Sequence, residues 1–170
     1  VVVDNSTAPI AIVSVRKICV AMEIPIITLG ENYGIAYAQN QGVKWASNNG
    51  ASDILLMDDD SVPSTTLVED LLRTREKLVG PVVVSARAIE NNGTEIHSSF
   101  GKNSLDVILY TELMSSGTLI PINAFDIVGF FDESLFIDCV DYEWGWRAIS
   151  KGYSLYISKG AVIINTINKK

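Results

Sequence analysis

Asp58, Asp59 and Asp60 follow directly on the apolar run Ile54-Leu55-Leu56-Met57, and three adjacent carboxylates at that point repel one another. Folding tolerates such repulsion best where a cation neutralises it. In extended chain Asp58 and Asp60 point to one side while Asp59 faces away, so the pair reads as a ligand set for one Mg2+ or Mn2+. Magnesium keeps coordination positions for substrate phosphates, which suits an acidic protein that handles a diphosphate. The same residues also read as an acidic loop that caps the next helix, because Asp and Ser are good N-cap residues. Spacing alone leaves both readings open.

A second acidic cluster runs from Phe130 to Arg147, where aromatic residues interleave with carboxylates. Such surroundings shield a carboxylate from water and leave it basic enough to take a proton from a sugar hydroxyl. Asp141, at the start of a predicted helix, is the candidate; it also reads as a plain N-cap, and Glu143 with Arg147 as an i, i+4 salt bridge. A third stretch, Asn32 to Gly42, places small residues at alternate positions where a helix opens. That pattern lets backbone amides, with Asn32 or Asn40, approach a nucleotide ribose or phosphate, and it equally describes a glycine turn before a tightly packed helix. The single His97 has no identifiable partner. Neither a nucleophile elbow nor a P-loop with its Lys is present, which disfavours a serine hydrolase or a P-loop NTPase.

The elements that must position these groups follow from short apolar runs alternating with segments of helical period, the signature of an α/β domain with a mostly parallel sheet. Val1 to Val3, Ile26 to Leu29, Ile54 to Met57 and Pro81 to Val84 read as strands, the third as a central parallel strand buried on both faces. Helices are expected from Pro9, from Ile35 to Ala46, through Leu67 to Leu78 and from Asp141 to Lys151. In the third of these, Leu67, Val68, Leu71 and Leu72 face the sheet, and Arg73 and Arg75 face water. Further strands are expected near Leu119-Ile120, at Tyr153 to Ile157 and at Ala161 to Ile164, and Asn91 to Ser104 reads as a mobile loop. In doubly wound sheets ligands bind beyond the carboxyl ends of the strands, so Asp4, Asn32 and Asp58 to Asp60 converge on one edge.

Composition is consistent with this. The 170 residues are 48% hydrophobic and 19% charged, enough for one folded domain. A formal net charge of -7 argues against a grip on nucleic acid or an anionic membrane surface. No apolar stretch approaches the ~20 residues of a membrane span. Cys19 and Cys139 read as small buried hydrophobes of a reducing compartment.

Taken in order, Val2-Val3-Asp4-Asn5-Ser6, Asn32-x-Gly34-x-Ala36-x-Ala38-x-Asn40-x-Gly42, Leu55 to Ser61, Ser116-Gly117-x-Leu119-Ile120-Pro121 and Gly129 to Trp144 resemble the family 2 glycosyltransferases of the GT-A fold, within them the bacterial rhamnosyltransferase-like group. The resemblance covers nearly the whole chain, residues 1–170 as one domain. It implies that Asp4 reads the pyrimidine base of a nucleotide donor, with Asn5, Asn32, Gly34, Asn40 and Asp59 along the donor cleft. It further implies that Asp58 and Asp60 hold Mg2+ or Mn2+ on the donor diphosphate and that Asp141 is the catalytic base of an inverting transfer. The donor so implied is dTDP-rhamnose or a UDP-sugar, the acceptor a glycan or lipid-linked hydroxyl, and the setting the cytoplasm, at the inner face of the membrane. Measured against the family, the chain looks cut from something longer, without the first strand and helix. It also offers Asn165 where many members carry a His, and acceptor contacts are expected in Ile89 to Asp106. A nucleotide-sugar-binding domain without catalysis is the alternative from another class.

Overall fold

The computed structural model describes residues 1–90, 93–94 and 106–165. His97 and most of the Asn91 to Ser104 segment lie outside the described residues. Strand β1 (Val2–Asp4) pairs in parallel with β2 (Ile26–Thr28), Asp4 opposite Thr28, and helix α1 (Pro9–Ala21) connects them. Pro9 starts α1 where a missing N–H costs nothing. Of its side chains only Cys19 is buried, whereas Val13 and Ile18, and Met22 just past its end, remain exposed. Helix α2 (Ile35–Asn48) buries Ala36, Asn40 and Val43, a single stripe at helical spacing.

The second sheet has six strands, and it corrects the expectation of a mostly parallel architecture. Strands β3 (Asp53–Leu56), β4 (Ser61–Pro63), β5 (Val82–Glu90), β6 (Val107–Tyr110), β7 (Thr118–Pro121) and β8 (Ser154–Asn165) run in the order β3-β7-β5-β8-β4, with β6 also on β8. Only β5 with β8 is parallel there; β3 with β7, β5 with β7, β4 with β8 and β6 with β8 are antiparallel. The physical reason is that strand-helix alternation tells which segments are strands, not which become neighbours. β7 arrives from far along the chain and slots between β3 and β5, running against both. β3 is therefore an edge strand of its sheet rather than a central parallel one.

Period-2 alternation still sends apolar side chains to both faces. Ile54, Leu56, Val83, Ile120 and Leu155 pack against α2, α4 (Ala124–Val128) and α5 (Val140–Ser150), where Trp144 is fully buried. Leu55, Val84, Leu119 and Ile163 pack on the opposite face against Leu67 and Leu71 of α3 (Leu67–Glu76). Val68 of α3 is exposed, contrary to expectation, because it sits on the outer side of the helix; Arg75 reaches Asp53 in an ion pair instead of facing water. The two expected C-terminal strands are one, β8, with an irregularity where Ala86 pairs Ser158 and Arg87 pairs Val162. At that irregularity Ser158 bonds the Thr74 hydroxyl at 2.8 Å, which satisfies both buried groups.

Candidate active site

Asp4 ends β1 and is 4% exposed. One of its carboxylate oxygens accepts from the Ser6 amide at 3.0 Å, and the other, Oδ2, has no hydrogen-bond partner among the described residues. A buried acceptor left unpaired costs about 1–3 kcal/mol, and a donor that reached this oxygen would relieve that cost. The neighbouring Asn5 and Asn32 are committed to each other. Asn5 Nδ2 donates to Asn32 Oδ1 at 2.9 Å and to the Gly34 carbonyl at 3.2 Å, while Tyr33 N donates to Asn5 Oδ1. Gly34 N donates back to Asn32 Oδ1. The two side chains thus shape the loop that carries the chain from β2 into α2.

Asn40 is 1% exposed, and its amide is used up in the core. Its nitrogen donates to the Phe131 carbonyl and to Glu133, both at 2.9 Å, and its oxygen accepts from Phe131 N at 3.0 Å. It ties α2 to the turn before α5.

Between that turn and α5 the backbone is tightly folded. Ile137 N donates to the Leu135 carbonyl at 2.6 Å, and Phe136 inside this turn has φ 55° and ψ -63°, a strained combination for a residue with a Cβ. Its carbonyl accepts from Ile35 N, the first amide of α2, at 2.6 Å. Gly34 makes the contact possible, since at its φ of 88° a Cβ would overlap the Phe136 carbonyl oxygen. Gly34→Ala is accordingly expected to lower unfolding stability by about 2–4 kcal/mol in urea titration, since both the positive φ and the overlap oppose it. Cys139, in the left-handed region at φ 61°, then turns the chain into α5 and is exposed, not buried as its residue type led one to expect.

Helix α5 is held firmly. Trp144 Nε1 donates to the Gly129 carbonyl at 2.9 Å, and Arg147 donates to the Val128 and Phe130 carbonyls while paired with Glu143. Asp141 in its first turn therefore has a fixed direction. Its carboxylate accepts from Ser115 N at 3.0 Å and from Tyr142 N at 2.9 Å.

The Asp58 to Asp60 loop, where β3 ends, meets the same place. Solvent reaches Asp58, yet protein atoms crowd it, and its carboxyl is held above the usual range first by that loss of hydration and then by the charges of Asp60, Asp141 and Asp59. Asp141, from the second acidic cluster, thus lies close enough to act on Asp58. The repulsion favours a cation. Asp58 and Asp60 supply hard oxygen donors, and a magnesium-like ion needs only one or two protein carboxylates when phosphates and water complete its shell. That fits, although among the described residues no three His, Cys, Asp or Glu side chains converge into a closed ligand set.

Sequence reasoning placed Ser61 and Ser116 in motifs but missed that they, with Ser115, join the two acidic clusters. The signal available was the Ser115-Ser116-Gly117 step before β7, where Gly117 at φ 78° leaves no room for a Cβ beside Ala86.

Residues 1–136 match the sequence family described as glycosyl transferase family 2. Over 184 residues the chain is 32% identical to "dTDP-rhamnosyl transferase RfbF" of Shigella flexneri, covering 100% of this chain and 60% of that protein. Among solved structures it resembles GalNAc-T7 with UDP, GalNAc and Mn2+, at TM-score 0.73 and 11% identity over 96% of this chain and 37% of that one. It also resembles S. aureus TarS in complex with UDP-GlcNAc, at TM-score 0.72 and 16% identity over 99% of this chain and 49% of that one. The chain therefore spans 60% of the length of the curated relative and about half or less of these solved chains.

Proposed function

From the premise that the chain belongs to glycosyl transferase family 2 and has the GT-A type of α/β fold, we propose that it transfers a sugar, rhamnose, from a dTDP donor to a hydroxyl of a polysaccharide or lipid-linked acceptor, with inversion. The observation that supports this reading is that adjacent residues touch both acidic clusters, Ser115 N donating to Asp141 at 3.0 Å and Ser116 Oγ accepting from Asp58 N at 3.3 Å.

In this mechanism Asp141 Oδ takes the acceptor proton as the hydroxyl oxygen attacks the anomeric carbon. The bond from that carbon to the departing diphosphate breaks on the opposite side, which inverts configuration. Ser115 N and Tyr142 N hold the carboxylate in line for the proton. Asp58 and Asp60 would hold Mg2+ or Mn2+, which when bound supplies positive charge for the leaving diphosphate. Asp4 Oδ2 takes the imide N–H of the pyrimidine, filling its unpaired position. Asn5, Asn32 and Gly34 shape the loop beside it. Asp59 lies on the same loop as Asp58 and Asp60. We take residues 1–170 as one donor-binding domain acting in the cytoplasm at the inner membrane face; among the described residues no helix is long and apolar enough to cross a membrane.

Calorimetry of the chain with dTDP and UDP in the presence of Mn2+ tests the donor. Tighter binding of dTDP is expected, and Asp4→Asn should weaken it by about 10- to 100-fold, the worth of a hydrogen bond to a charged group. Unchanged affinity in that variant removes Asp4 as the base reader, and a preference for UDP points to a UDP-hexose donor. Donor binding without transfer to any glycan acceptor would mark a binding domain rather than an enzyme.

A further inference from the structure

We infer that Ser116 is a positioning residue that fixes the spacing between the Asp58 loop and the Asp141 carboxylate. The inference rests on the reading above, in which these acids flank the reacting bond. Ser116 is 2% exposed, and its hydroxyl does two things at once. It accepts from Asp58 N at 3.3 Å and donates to the Ser61 hydroxyl at 2.8 Å, so it grips the acidic loop at both ends. One residue earlier, Ser115 N donates to Asp141 Oδ2 at 3.0 Å. One residue later, Gly117 N donates to the Leu56 carbonyl at 2.8 Å, anchoring the tripeptide to the end of β3.

Successive Cα atoms are about 3.8 Å apart, so residues 115 to 117 form a short ruler with the proton acceptor on one side and the diphosphate side on the other. Without such a tie the like charges of Asp58, Asp59, Asp60 and Asp141 would drive the loop away from α5. Only a hydroxyl can accept from an amide and donate to a second hydroxyl from one atom, so neither Ala nor Val can substitute.

Ser116→Ala in the full chain tests this. Backbone bonds on both sides of the residue persist, so the urea midpoint should move little. The Mn2+-dependent gain in dTDP affinity should fall about tenfold while affinity for dTDP without metal stays unchanged, and kcat should fall about 10- to 100-fold with the acceptor KM unaltered. Should Ser116→Ala fold poorly, Ser61→Ala, which removes the second hydroxyl, is expected to show the same split to a smaller extent. A wild-type Mn2+ gain and wild-type kcat in a folded variant overturn the inference. Absence of any Mn2+ gain in the unaltered protein overturns the donor-site reading, and this inference with it.

Discussion

Asp141→Asn should lower the rate of sugar transfer by about 10²- to 10⁴-fold while dTDP affinity stays within about twofold, the range over which a positioned general base contributes. The substitution keeps the size and shape of the side chain. It removes the proton-accepting oxygen and leaves one of the two amides, Ser115 N or Tyr142 N, facing an NH2 group, so a stability loss of about 1 kcal/mol accompanies it. Because Asp141 adds to the charge that raises Asp58, neutralising it eases the burden on the acidic loop and does nothing against cation binding. Initial rates at saturating donor, beside calorimetry of the same preparation, separate the effects; turnover equal to wild type would strip Asp141 of its role.

The second large effect is expected at Asp60. Asp60→Ala should cost the Mn2+-dependent part of nucleoside diphosphate binding roughly a hundredfold or more, leaving metal-free binding intact. The same change should stabilise the protein slightly in the absence of metal. Asp58 has a raised pKa in the folded state, so between the ordinary carboxylate range and that raised value the folded protein holds more protons than the unfolded chain. Its stability therefore falls as pH rises through that window, and the deficit is complete above it. Burial is the main cause and Asp60 the next, so removing Asp60 narrows the deficit. Urea titrations with chelator across that window check the sign, and a loss of metal-free stability at neutral pH would contradict it.

What the sequence disclosed and what it withheld divide along physical lines. The position of Asp58 to Asp60 was legible because an apolar run that stops at charged residues announces a strand end, and β3 does end at Leu56. Most strands and helices followed from periodicity, but β8 was read as two strands, and the short β4 and β6 did not follow. Strand direction did not, because β7 chooses its neighbours through tertiary packing, and no local pattern encodes that choice. Asn40 was read toward a ligand because an Asn in a helix carries no mark of what its amide will meet; its partners, Phe131 and Glu133, are 91 and 93 residues away. Asn5 and Asn32 likewise found each other across 27 residues. Cys139 was expected inside on residue type, but the left-handed turn into α5 places it at the surface. Ser116 stood out only as part of a motif, because a backbone amide at Ser115 and a hydroxyl at Ser116 do not announce in sequence what they will bond.

The bond from Ile35 N to the Phe136 carbonyl has an outcome for the donor's phosphates. Helix N-termini attract anions through their free amides, and here the protein's own carbonyl has already occupied the leading one of α2. In the proposed mechanism that leaves less of the diphosphate charge to the α2 amides and more to an ion that Asp58 and Asp60 would hold. On the proposed reading, transfer is therefore expected to stop when EDTA is added and to change little with sodium chloride, which initial rates under the two additions check.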